Sequence, residues 1–292
     1  MNQATHSPLI EAHALAARLQ DAEPPVLLDC SFDLSDTEKG SRTYAQGHLP
    51  GAHYVHLDRD LSGPKHPEGP RSARFTGRHP LPERQAFAAW AAQRGVRPGR
   101  LVVAYDGDGL PFAARAWWLL RWLGHSQVAV LDGGTAAWVA AGYALSTDVP
   151  PLVSAPAYPA SAEPAMPTID APQLLAKLGE VAIVDARAAE RFRGDVEPLD
   201  PVGGHIPGAR QRFFKDNLAP DGRFQSAQAL RDAFAQRGVH NAQGVVMQCG
   251  SGVTACHNLL AMAHAGLGEA VLYPGSWSQW CADPTRPVAR GD

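Results

Sequence analysis

The 292-residue chain has little cysteine, no excess of charge of one sign and no long apolar run. Its four cysteines, at 30, 249, 256 and 281, follow no regular spacing and form no C-x-x-C pair. That excludes a disulfide framework and the usual zinc or redox cysteine patterns. Cys256 and His257 are adjacent on a helical pattern, so they diverge by about 100° and chelate poorly. Lys+Arg total 26 against 29 Asp+Glu, a net charge of −3, which excludes the basic surface expected of a nucleic-acid or membrane-surface binder. No stretch approaches the length of a membrane span. Met1-Asn2-Gln3-Ala4-Thr5-His6 has neither a basic segment nor an apolar one. A secretory signal is therefore not expected, and a cytoplasmic location with reduced thiols is. What is present is 45% hydrophobic residues, enough for a sizeable core, in a length that suggests two domains.

One cysteine stands apart. Val245-Val246-Met247-Gln248 has strand character and ends at Cys249. Gly250-Ser251-Gly252-Val253-Thr254 follows, and then a helical pattern. Glycines let such a loop curl its N–H groups inward, and a helix N-terminus adds partial positive charge. Both features favour an anion, so Cys249 is expected to be a reactive thiolate. Cys30, Cys256 and Cys281 sit in apolar surroundings and are expected to be packing residues.

The chain also repeats itself once. Gly47-His48-Leu49-Pro50-Gly51-Ala52 recurs as Gly204-His205-Ile206-Pro207-Gly208-Ala209. Val26-Leu27-Leu28-Asp29 recurs as Ala182-Ile183-Val184-Asp185, and 101–109 matches 244–252. Gly133-Gly134 followed by Trp138 matches Gly275-Ser276 followed by Trp280. The order is the same in both halves, as in a tandem pair of domains. The counterpart of Cys249 is Asp106, which cannot be a sulfur nucleophile, so one site is expected and not two. Asp106-Gly107-Asp108-Gly109 slightly resembles a calcium loop but lacks the later ligands. His48 and His205 recur in both halves and are expected to stabilise turns.

The predicted organisation is a non-catalytic domain over 1–146, a proline-rich linker over 147–167 and a catalytic domain over 168–292. In the first half, Ser7-Pro8 opens a predicted helix through Leu9, Ala12, Leu15 and Leu19. Strand Val26–Leu28, helix Leu81–Arg94, strand Leu101–Tyr105, helix Phe112–Leu123, strand Val128–Leu131 and helix Thr135–Ala141 are predicted after it. The alternation indicates an α/β fold, each domain a mostly parallel sheet with helices on both faces. Ligands in such sheets bind beyond the carboxyl ends of strands, where Cys249 falls.

The Cys249-Gly250-Ser251-Gly252-Val253-Thr254-Ala255 loop, the paired Gly-His-x-Pro-Gly-Ala motifs and Tyr273-Pro274-Gly275-Ser276-Trp277 together resemble the two-domain rhodanese family. Within it the loop is most similar to 3-mercaptopyruvate sulfurtransferases. The resemblance implies a catalytic second domain, a Cys249 persulfide intermediate and no metal or organic cofactor. It implies a small anionic sulfur donor and a thiol, cyanide or thioredoxin-like acceptor. N–H groups from Gly250, Gly252, Val253 and Thr254 are expected around the sulfur, and Ser251 is expected to bond it or relay a proton. Arg191 matches the substrate-binding arginine of the family, and its planar fork suits a carboxylate. His79 and Asp58 fall where the sequence resembles the family's cysteine–histidine–aspartate relay. Arg187 is expected to pair with an acidic neighbour.

The sequence departs from the pattern after Glu197-Pro198. Mercaptopyruvate enzymes carry a second arginine there, and this chain has Leu199-Asp200. Arg210 and Arg212 are the replacements the sequence offers. Thiosulfate enzymes of the family carry basic residues inside the cysteine loop, and Gly250-Ser251 supplies none. Mercaptopyruvate is the expected donor, thiosulfate the alternative, and a non-catalytic sulfur carrier or binding module the rival from another class. Related phosphatases use Cys-x5-Arg, and here Ala255 stands in the arginine's place.

Overall fold

A computed structural model of the chain describes residues 7–107 and 111–292. The opening hexapeptide read for a secretory signal, and Asp108 and Gly109 of the calcium-like pattern, lie outside the described residues. Two compact units result, and neither is one continuous stretch. The first takes the chain to Leu61, Pro82–Ala165 and Leu218–Phe224; the second takes Ser62–Leu81, Met166–Asn217 and Gln225–Asp292.

The first unit runs β1 (Leu9–Ile10), α1 (Ala12–Arg18), β2 (Val26–Asp29), α2 (Lys39–Gln46), β3 (Ala52–Tyr54), α3 (Arg84–Gln93), β4 (Val102–Tyr105), α4 (Phe112–Leu123), β5 (Val128–Leu131) and α5 (Gly134–Ala140). Its strands form one parallel sheet in the order β1-β5-β4-β2-β3. Every residue of β2, β4 and β5 is buried, which is why these strands read as unbroken apolar runs and do not alternate. The helix expected from Ser7 begins instead at Ala12. Leu9 and Ile10 pair with Val130 and Leu131, and a sheet edge satisfies their backbone groups better than a fraying first turn. The segment 147–167 holds no helix or strand. It is tied to the first unit by Val153 N–H to Gln93 O at 2.8 Å and Tyr158 N–H to Ala88 O at 3.1 Å.

The second unit contains α6 (Ala171–Ala176), β6 (Ala182–Asp185), α7 (Ala189–Arg193), β7 (Arg210–Gln211), α8 (Ala227–Ala235), β8 (Val245–Gln248), α9 (Thr254–His264), β9 (Val271–Leu272) and α10 (Ser276–Trp280). The sheet order is β7-β6-β8-β9, all parallel, with a parallel bridge from Thr168 to Leu272 beyond β9. Counting that bridge as a vestigial strand, the two sheets have the same order, so the sequence repeat is a repeat of topology. Trp277, Trp280 and Tyr273 pack with Ile183, Ile206 and Val246 in its core.

The duplicated histidines behave alike. His48 Nδ1 lies 2.8 Å from Tyr44 O, with its ring stacked on Tyr44 at 3.7 Å. His205 Nδ1 lies 2.9 Å from Phe192 O, with its ring stacked on Phe192 at 3.8 Å. Each closes the end of the preceding helix against its own turn. Among the described residues no helix is long and apolar enough to cross a membrane.

Candidate active site

β8 ends at Gln248, and Cys249 begins the turn into α9. The thiol is buried, with 1% of the residue exposed. Gly252 N–H donates to Cys249 Sγ at 3.1 Å. Gly252 reaches this position with φ at +77°, the left-handed region where a side chain is strained. A Cβ there would also meet Pro274 O at 2.4 Å. The expected nest is therefore narrower around the bare sulfur than the sequence suggested. The N–H groups of Gly250, Val253 and Thr254 do not bond Sγ, because a single tight turn brings back only the amide three residues on.

The loop is held from the far side by the turn into α10. Cys249 N–H donates to Ser276 Oγ at 3.1 Å, and Ser276 Oγ donates to Tyr273 O at 2.9 Å. Ser276 Oγ also stands 4.0 Å from Cys249 Sγ. Trp277 N–H and Ser278 N–H bond Cys249 O and Gly250 O, each at 2.9 Å. Ser276 has φ +51°, the only positive value outside glycine among the described residues. The other half of the repeat carries Gly134 here, at φ +57°. A serine kept where glycine fits better costs backbone strain, and such strain gathers at functional sites. Sequence reasoning passed over Ser276, although the Gly-to-Ser difference between the repeats was its visible signal.

Ser251 is buried beside His79, with His79 Nδ1 2.7 Å from Ser251 Oγ. His79 reaches it on the segment Ser62–Leu81 of the same unit. Gly77, at φ +111°, lets that segment run against Gly275, where a Cβ would meet Gly275 O at 2.9 Å. Asp58 belongs to the first unit, where its N–H donates to His56 Nδ1 at 3.1 Å.

Arg191, in α7, does not present a bare fork. Its Nη2 and Nε bond Glu197 at 2.7 and 3.3 Å, and Nη2 also reaches Asp200 at 3.3 Å. Arg187 pairs with Asp185 at 2.7 Å, bonds Gly204 O and lies over the Trp277 ring. Neither replacement suggested for the second arginine is at the loop. Arg210 bonds Arg237 O, and Arg212 bonds Asn217 Oδ1 and covers Phe234. The second guanidinium belongs to Arg78. A Cβ on Gly250 would lie 2.9 Å from Arg78 Nη2 and 3.5 Å from Arg191 Nη1. Arg78 Nη1 is ion-paired with Asp200. Burial pushes the Asp200 carboxyl up, against the pull of Arg78.

The rhodanese-like domain matches residues 11–141 and, a second time, 170–283. The chain belongs to the rhodanese family. It is 49% identical over 290 residues to the Pseudomonas aeruginosa protein named "Probable 3-mercaptopyruvate sulfurtransferase", covering 97% of this chain and 98% of that relative. It is 40% identical over 290 residues to "Putative thiosulfate sulfurtransferase SseB" of Mycobacterium tuberculosis, covering 99% of each. The crystal structure of SseA from Escherichia coli, described with the 3-mercaptopyruvate sulfotransferases, superposes with a TM-score of 0.77 at 29% identity, over 93% of this chain and 99% of that one. This rhodanese is a sulfurtransferase, and the family's chemistry requires a sulfur donor and an acceptor. In its first rhodanese-like domain the cysteine position holds Asp106, whose carboxylate caps α4 by accepting from Ala113 N–H at 2.9 Å.

Proposed function

We propose that Cys249 carries sulfur as a persulfide from 3-mercaptopyruvate to a thiol, cyanide or thioredoxin-like acceptor. The observation that carries this reading is the setting of its sulfur, at a strand-to-helix turn with the Gly252 amide donating to it. The Cys249 thiolate attacks the donor's thiol sulfur. The S–S bond forms as the S–C bond breaks, and the departing electron pair becomes the enolate of pyruvate. The donor's thiol proton goes to the enolate carbon, which gives pyruvate and leaves Cys249–S–S⁻. Ser251 passes that proton, a role supported by its bond to His79. An acceptor thiolate then takes the outer sulfur of the protonated persulfide, and Cys249 leaves as thiolate. Splitting one transfer into two is covalent catalysis. Arg191 holds the donor carboxylate.

The His79–Ser251 pair favours mercaptopyruvate over thiosulfate. An enolate must be protonated as it leaves, whereas sulfite leaves as a stable anion. Thiosulfate remains the second reading, favoured by the name of the 40% identical relative. Intact mass after incubation with 3-mercaptopyruvate tests the proposal: a gain of one sulfur atom is expected, and none in Cys249→Ser. No gain with either donor sinks the persulfide reading. A strong preference for thiosulfate in turnover with cyanide overturns the donor.

A further inference from the structure

Arg191 does not stand alone at Gly250. Arg78 Nη2 comes nearer to that position than either terminal nitrogen of Arg191. The two arginines share a seat: Asp200 Oδ1 pairs with Arg78 Nη1, and Asp200 Oδ2 takes Arg191 Nη2 at 3.3 Å. Glu197 holds the remaining edge of Arg191. The Asp200 side chain is 1% exposed, while those of Arg78 and Arg191 are 24% and 19% exposed. The acids therefore lie beneath and the guanidinium ends lie outermost. Arg78 Nη2 and Arg191 Nη1 each lack a protein acceptor among the described residues. Both ends stand at Gly250, the residue after the thiol. Guanidinium groups already fixed by buried acids lose little freedom when they accept an anion, and two such ends match the two oxygens of a carboxylate.

We propose that Arg78 is the second arm of the donor clamp, gripping the donor's carboxylate together with Arg191, and that Asp200 is its positioning residue. This rests on the reading of mercaptopyruvate as donor. It also gives Leu199-Asp200 a meaning: the acid that stands where an arginine was expected seats an arginine arriving from Gly77-Arg78-His79. The backbone of Arg78 has a separate structural duty, donating its N–H to Ser278 Oγ at 3.2 Å, which side-chain substitutions leave in place.

The test uses the full chain with Arg78→Gln, and with Arg78→Gln/Asp200→Asn so that no buried carboxylate loses its partner. In a ping-pong enzyme, donor kcat/KM reads the first half-reaction and acceptor kcat/KM the second. Both variants should lower donor kcat/KM about 10- to 100-fold, the range of a charge-assisted hydrogen bond, and leave acceptor kcat/KM within about twofold. Arg78→Lys should fall between them and the parent. Equal falls in both constants would mark a structural role and overturn the proposal, as would no fall in either. A second readout needs no donor: the ratio of Cys249 alkylation rates by iodoacetate and by iodoacetamide, which differ in charge. That ratio should drop at least about threefold in Arg78→Gln, and an unchanged ratio overturns the clamp. If the ratio drops but mercaptopyruvate gives the parent protein no sulfur, the donor reading has failed and the anion clamp stands.

Discussion

Gly250 and Gly252 flank Ser251 in the same loop, and alanine at each should fail for a different reason. Gly252 sits at φ +77°, where a side chain costs about 1–2 kcal/mol. Its new Cβ would fall 2.4 Å from Pro274 O and 3.0 Å from Pro274 Cα. Both are backbone atoms beneath the Ser276 turn and cannot swing aside, so overpacking adds about 1–3 kcal/mol. Gly252→Ala should therefore lose about 2–5 kcal/mol, a large share of the ~5–15 kcal/mol that a domain has. At Gly250 the backbone is outside the left-handed region, and the nearest obstacle is Arg78 Nη2 at 2.9 Å, the far end of a flexible side chain. Gly250→Ala should cost less than about 1 kcal/mol, since the arginine can move. That same movement displaces the clamp, so donor kcat/KM should fall about tenfold. Urea denaturation gives the first pair of numbers and steady-state kinetics the second. The reasoning is refuted if Gly250→Ala is the more destabilising of the two, or if Gly252→Ala unfolds at the parent's urea midpoint.

Ser276→Ala should cost about 1–3 kcal/mol by leaving the buried Cys249 N–H without its acceptor. Ser276→Gly loses the same bond but relieves the strain at φ +51°, so it should be about 1 kcal/mol milder in urea melts; an Ala variant as stable as Gly argues against strain. Burial, with Arg212 nearby, pushes His257 down to about 3 from 6.5. The unfolded chain then binds a proton below about pH 6.5 that the fold refuses, so stability is complete above that pH and falls as pH drops toward 3, by about 1.4 kcal/mol per unit. His257→Gln should remove that much slope between pH 6 and 4. His53, pushed to about 4 by burial, keeps its own contribution, and an unchanged slope counts against the assignment to His257. Burial pushes the Cys281 thiol up to about 12 and raises Cys30 as well. At pH 8 about one Cys281 in ten thousand is thiolate, so neither should take iodoacetamide until urea is added. Peptide mapping that finds Cys281 labelled at the rate of Cys249 contradicts this.

The helix Phe112–Leu123 and the strand Val128–Leu131 are formed over the residues their patterns indicate, because burial and local propensity there agree. The topology was legible for another reason: a duplicated chain states its turns twice, and Gly-His-x-Pro-Gly-Ala marks the same corner each time. Leu9–Ile10 was not legible as a strand, since two apolar residues before an amphipathic helix look like part of it. Arg78 was hidden more deeply. Its partner Asp200 is 122 residues away, and no local pattern tells that Ser62–Leu81 folds with the second unit. Sequence spacing finds groups that share an element, whereas this pair is joined by the way the chain crosses between units.

The two copies of the turn after the fourth strand position differ in what the side chain and the backbone do for each other. In the first, Asp106 spends its carboxylate on Ala113 N–H of α4, and Gly134 supplies the left-handed turn without strain. In the second, Cys249 receives the Gly252 amide, so the loop amide and the side chain have exchanged roles: the side chain no longer caps the helix, and the backbone serves the side chain. Ser276 replaces the glycine and accepts strain in order to fix the cysteine amide. Each change costs stability locally, and each sets the sulfur in a particular place. A copy without the cysteine can recover both costs, which is a sufficient physical reason for Asp106 and Gly134 to occur together in one half and Cys249 and Ser276 in the other.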